Sequence, residues 1–428
     1  MKLLKRLVII ALVVIILSFA FKYFNDPYLT TVSGSDLAYT LDLDETLTYE
    51  QAKEDIDYLY KKLRRNHYSF VENDNDDIYN KYTEMITNLE ETNTILDLYI
   101  ETSKLISLLN DAHSKIGYKG ENLLYLENNL EFNNDKIYVE IEDFMYEVYS
   151  INDIQTEDLV DSAKLVTSYE NEYYFNYSFS QKLVNNINLM QMGVNHNNDY
   201  IEITYIDSGI AKTIQSDFIR KTSSSVDLVT YHIDTDNGIA YIKINQMILN
   251  EFLIDNISSF FLEVEQNNIS KIVIDLADNG GGNSSVIQAF ISYLDVDEYK
   301  RFGSYIKYPF YHQEFEPKII SNNKKSNLYD GEIYIVTSNK TFSAAMMFVT
   351  TFYDNFDVTI IGQPLGNAPI SYGDGLLFQL PNSKLVLQTT YKKFIRPDET
   401  NLENTIYPDY YLDDFSYESI KSTIMEID

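Results

Sequence analysis

The chain has 428 residues, too many for one small core, which points to a main domain with accessory segments. With 45% hydrophobic and 14% aromatic residues it is too rich in core-forming side chains to be a disordered chain. A net charge of -32 argues against a nucleic-acid partner, and the absence of cysteine excludes disulfides, thiolate metal sites and cysteine nucleophiles.

From the N-terminus, Lys2, Lys5 and Arg6 precede an apolar run from Leu7 to Phe21, and Lys22 closes it. A basic flank before an apolar run directs export. No small-x-small cleavage site follows in Ser18-Phe19-Ala20-Phe21. The segment 1–24 therefore reads as an uncleaved membrane anchor, with a cleaved signal peptide as the alternative. The positive-inside rule puts the basic flank in the cytoplasm and the rest outside. The expected location is the cell membrane, single-pass, with the main domain extracellular, or secretion if the segment is cut.

Residues 25–46 read as a polar linker and 47–115 as an N-terminal helical segment. Ile56, Leu59, Tyr60 and Leu63 fall on one helical stripe, and Ile95, Leu98, Leu105 and Leu109 suggest a second helix that ends at Asp111-Ala112-His113-Ser114. Residues 116–225 read as a mixed α+β middle region. Its strands are expected over 136–141, 146–151 and 200–205, with a helix over 181–192. Residues 226–428 change texture. Apolar runs over 238–244, 271–276, 332–336 and 357–362 alternate with small-residue turns and helical stretches. That is the α/β pattern, in which ligands sit past the carboxyl ends of the strands.

Three features at those ends could carry chemistry. Ser343 follows a buried strand at the start of a helix, where it is either an N-cap or a nucleophile whose oxyanion meets outward-facing N–H groups. Asn279-Gly280-Gly281-Gly282 is either a tight turn, a phosphate loop or the second half of an oxyanion hole shared with the Ala344 N–H. Neither a Walker Gly-Lys-Ser/Thr sequence nor a dinucleotide fingerprint is present, and no metal or other cofactor is expected. His113 is either a helix-end cap or the base that a serine nucleophile needs. His67, in Arg65-Asn66-His67-Tyr68, reads as structural.

Four blocks, taken in order, resemble the C-terminal processing (tail-specific) serine peptidases: Asp111-Ala112-His113-Ser114, Asp275-Leu276-Ala277-Asp278-Asn279-Gly280-Gly281-Gly282, Thr341-Phe342-Ser343-Ala344-Ala345 and Gly362-Gln363-Pro364-Leu365-Gly366. The resemblance implies a crotonase-like α/β catalytic core and peptide-bond hydrolysis by Ser343. Many members use a lysine one strand after the serine, but here that region reads Gly366-Asn367-Ala368-Pro369. The resemblance is thus to the tricorn-like, His-based branch, which implies His113 as the base and a late glutamate, Glu403 with Glu399 as rival, as its support. In that branch a serine precedes the histidine; here Ala112 precedes it and Ser114 follows. Glu147 to Asp153 is similar to the end of a PDZ domain, which implies a reduced or degenerate PDZ-like element. The implied partner is a protein or peptide substrate. Two other readings stay open, a catalytically inactive binding module on the same fold and a thioester-active crotonase-like enzyme. Acyl-CoA, the thioester source, is cytoplasmic, which opposes the second given the export signal.

Overall fold

The computed structural model describes residues 2–196, 199–221 and 226–427. The boundary expected after residue 225, and the side chains of Lys2 and Lys5, lie outside the described residues.

The helix Lys2–Phe24 leaves nearly all its side chains from Ile9 onward exposed, Ile16 and Phe19 among them at 63% and 71%. Among the described residues no single helix is long and apolar enough to cross a membrane; Ile9–Phe24 and Pro27–Asp36, bent by 64°, pass that test only as a pair. Residues 25–46, expected as a linker, are docked rather than free. The Val32, Thr40 and Leu41 N–H groups donate to the carbonyls of Leu377, Lys119 and Ser383.

The helix Tyr49–Asn66 begins with a reciprocal capping box, in which Thr48 and Gln51 each satisfy the other's backbone N–H. It buries Ile56, Leu59 and Leu63, three of the four stripe residues, to 1% exposure or less. Ile95–Ser107 starts at the Thr94 cap and ends four residues before Asp111, earlier than expected. Both helices pack on a five-stranded sheet ordered His312–Phe315, Gly303–Lys307, Val386–Ile395, Ser371–Gln379, with Lys115–Gly117 paired to Val386–Gln388. That last pairing anchors the loop that carries His113.

The middle region forms a seven-stranded antiparallel sheet. It contains the expected strands as Lys136–Ile141, Phe144–Ile151 and Tyr200–Asp207. The helix expected over 181–192 is two helices, Glu172–Leu183 and Asn186–Gln191, because the Asn185 side chain caps a fresh start at Asn188 N.

The third sheet runs Val229–Asp234, Ile239–Ile244, Lys271–Asp275, Glu332–Thr337, Val358–Gly362, Tyr410–Tyr411, parallel except at its first strand. Its central strands are apolar on both faces because both are covered, which is why they read as continuous runs in the sequence. On one face lie the helices Glu251–Gln266, Ser285–Ile291 and Ala344–Asn355, with Phe260, Phe261, Phe290, Phe348 and Phe352 at their shared core. The turns after Asp275 and Thr337 open at the same edge, and their juxtaposition forms the site.

Candidate active site

Two strand ends are bolted together before Ser343. Thr341 Oγ1 accepts from Ser338 N and donates to Leu276 O, and Ser338 Oγ donates to Ala277 O. Phe342 N donates to Asn279 O at 3.0 Å. The chain then turns sharply at Ser343, with φ 55° and ψ −122°. A positive φ on a residue with a Cβ costs about 1–3 kcal/mol and persists only where surrounding contacts enforce it. Ser343 is the N-cap of Ala344–Asn355, yet its side chain makes no capping bond. Its N–H donates instead to Asn367 Oδ1 at 2.8 Å.

The glycine turn lies against this elbow. A Cβ at Gly281 (φ +100°) would sit 2.7 Å from Phe342 O and from Ser343 Cβ, and 2.9 Å from Ala344 N. One at Gly282 (φ +137°) would meet Met247 O. Only glycine permits this approach. The fully buried Asn279 side chain holds the turn, donating to Ile244 O and accepting from Gly281 N. The Gly281 N–H, expected as an oxyanion donor, is instead committed to Asn279 Oδ1 at 2.8 Å. As the first residue of its helix, Ala344 has no intrahelical acceptor for its N–H.

His113 reaches the same place from the N-terminal segment. Its ring packs on Phe342 with centroids 4.4 Å apart, and both ring nitrogens are buried without a hydrogen-bond partner. It lies beyond the helix end at Ser107 and caps nothing. Asp111 positions it by accepting from His113 N at 2.8 Å, with Oδ1 3.9 Å from Nδ1. Asp111 is itself pinned by His67 Nε2, Ser114 Oγ and Thr390 Oγ1. Ser114 thus serves Asp111 rather than the histidine. His67 and Asp111 are fully buried. Burial alone would raise the Asp111 carboxyl, but the His67 hydrogen bond and charge, with the other donors, hold it at about 2. Burial pushes His113 below its ordinary range, against the pull of Asp111, so the ring is neutral near pH 7 and can accept a proton.

The glutamate beside this pair is Glu170, from the turn before the helix Glu172–Leu183. One atom each of Asp111, His113 and Glu170 lie within 4.8 Å of one another. Glu170 Oε2 accepts from Asn367 Nδ2 at 2.5 Å and from Ala368 N at 3.1 Å, so Asn367 links it to the Ser343 backbone. Glu403 is exposed on a loop with its N–H on Asn401 Oδ1, and Glu399 pairs with Lys300 at 2.7 Å. Neither is brought to His113. The segment around Glu403 contributes backbone instead, as Asn404 O accepts from Asn171, the neighbour of Glu170.

Burial and the Asp111 charge push the Glu170 carboxyl up to about 8, despite its three donors. The two acids are thus driven apart, Asp111 down by its donors and Glu170 up by burial beside that charge. An unfolded glutamate titrates near 4.5, so between there and about 8 unfolding releases a proton. Stability therefore falls as pH rises through that window. Glu170→Gln is expected to flatten the decline of melting temperature between pH 5 and 8, roughly the span of those two values; an unchanged slope would contradict it. Asp111, His113 and Glu170 are also a group that could hold a metal ion, although Asp111 Oδ2 already takes three donors and Glu170 Oε2 two.

Residues 238–412 match peptidase family S41. Among solved structures, mature CPAF is similar at 12% identity and TM-score 0.65, over 88% of this chain and 96% of that one. Mature CPAF complexed with lactacystin gives 12% and 0.65 over 89% and 97%. The photosystem II D1 C-terminal processing protease gives 12% and 0.49 over 86% and 96%. No curated protein matches.

Proposed function

Because residues 238–412 match peptidase family S41, we propose that the chain is a serine peptidase that hydrolyses peptide bonds through an acyl-enzyme on Ser343. The observation that carries this reading is the Ser343 elbow, whose backbone strain is held by Asn367 and Gly281 while its hydroxyl caps nothing. Ser343 Oγ attacks the scissile carbonyl as His113 takes its proton. The negative oxygen is received by the Ala344 N–H and one from Gly280 or Gly282. His113 then returns the proton to the leaving amine, and water, deprotonated by the same ring, hydrolyses the ester. Asp111 supports the imidazolium that forms, and Glu170 with Asn367 fixes the serine loop. The missing Ser–His hydrogen bond forms as substrate displaces the Phe342 ring from His113, since catalytic contacts often tighten only in the bound complex.

We also infer that the core sheet with its three covering helices is crotonase-like, and that the seven-stranded sheet with its inserted helices is a reduced PDZ-like element. The division at 24, 46, 115 and 225 follows from that reading. The exposed apolar helix ahead of the docked segment supports a membrane anchor with the catalytic core outside the cell, because so many exposed apolar side chains on one helix demand an apolar partner. The purified full chain is expected to release new amino termini from an unfolded protein, and the Ser343→Ala chain to release none. Binding of that protein without turnover by either form would favour the inactive binding module.

A further inference from the structure

A cavity of about 420 Å³ opens on the far side of Tyr174 from the elbow. Tyr174 joins the two spaces, since its ring stacks on Phe342 at 4.9 Å, its hydroxyl donates to Ala112 O, and it lines the cavity. Ala112 and Ser114, the neighbours of His113, line it too. The volume lies within the range of small-molecule pockets, roughly 300–1,000 Å³.

The charge of its wall is opposite to that of the molecule. The chain has 65 acidic and 33 basic residues, yet among the described lining residues there is no carboxylate and there are two lysines, Lys115 and Lys182. Lys182 Nζ bonds only neutral acceptors, Val166 O at 3.2 Å and Gln191 Oε1 at 3.1 Å. Among the described residues the Lys115 side chain makes no ion pair or hydrogen bond. It lines the cavity with its side chain exposed to solvent. Burial, then the Lys115 charge, bring Lys182 down to about 8. Two ammonium groups sharing a concave site without a counter-charge favour an anion over water. The rest of the wall supplies hydroxyl groups, from Ser103, Tyr118, Tyr177 and Ser178, that can donate to it.

We propose that this cavity is a specificity subsite that takes an acidic side chain of the peptide substrate between Lys115 and Lys182. A peptide laid across Ser343 has this cavity one aromatic ring away, so the subsite selects what is presented to the nucleophile. The inference rests on the peptidase reading for its substrate class.

The test uses the full-length Ser343→Ala chain, so that binding is read without turnover and a failure of the peptidase reading is seen separately, in the wild type's cleavage assay. Calorimetry compares acetyl-Ala-Ala-Glu-Ala-Ala-amide with its Gln counterpart, and acetyl-pentaalanine free acid with its amide. The Glu peptide is expected to bind about 10-fold or more tighter than its Gln counterpart, as a charge-assisted contact allows. A preference confined to the free acid over its amide would overturn the proposal. Lys115→Gln, which breaks no hydrogen bond, is expected to bring the Glu-to-Gln ratio close to one, and Lys115→Arg to keep it. Equal or unmeasurable binding of charged and neutral peptides, or a preference that survives Lys115→Gln, would overturn the proposal.

Discussion

His113→Ala is expected to lower kcat by about 10⁴–10⁶-fold, as much as Ser343→Ala, and the double variant no further, because groups that act as one unit do not add. The expectation follows from where the ring sits and what it lacks. His113 packs on Phe342, the residue before the elbow, and both its nitrogens are without a partner. A buried imidazole left unpaired is costly, and such exceptions call for an explanation. Here the explanation is a base kept neutral and uncommitted until substrate arrives. Since the side chain makes no hydrogen bond among the described residues, the variant loses only its packing and its attraction to Asp111, and its melting temperature separates a catalytic loss from unfolding. A decrease of a few fold in kcat, with stability intact, would assign proton transfer to another group.

Gly281→Ala is expected to cost about 10²–10³-fold in kcat with KM little changed, the loss typical of a misplaced nucleophile or a removed oxyanion donor. The new methyl group would lie 2.7 Å from Ser343 Cβ and 2.9 Å from Ala344 N. These are backbone atoms and a Cβ on a loop already bolted to Asn279 and Asn367, so nothing flexible can yield. Either the elbow moves or the glycine turn does, and both spoil the alignment of hydroxyl and N–H donors. A positive φ at the new alanine adds about 1–3 kcal/mol of strain. Wild-type kinetics in a folded Gly281→Ala protein would mean that the turn takes no part.

The parts of this site carried by local sequence were legible. Strands apolar on both faces announce themselves as runs, and a glycine turn or a serine at a helix start follows directly after them, as at Asp275 to Gly282 and Val336 to Ala345. Glu170 was not legible. It is one of many acids, its flanking residues carry no pattern, and its partner Asn367 is 197 positions away. The late segment was placed in the right neighbourhood, but it delivers the Asn404 carbonyl inward and turns Glu403 out. Asn367 is fully buried and so needed a polar partner from elsewhere, but that burial is a property of the fold rather than of the local sequence. Missed strands have a different cause. Ile210–Ile219 is exposed along most of its length and shows no alternation. Val386–Ile395 buries Thr389 and Thr390 completely, and polar residues inside blur its pattern.

The most direct test of the account is labelling of the purified full chain with a fluorophosphonate, which reacts only with an activated serine hydroxyl. Labelling of the wild type, with none in folded Ser343→Ala and little in folded His113→Ala, is the predicted result. Labelling that persists in Ser343→Ala, or no labelling of a folded wild type, would contradict it.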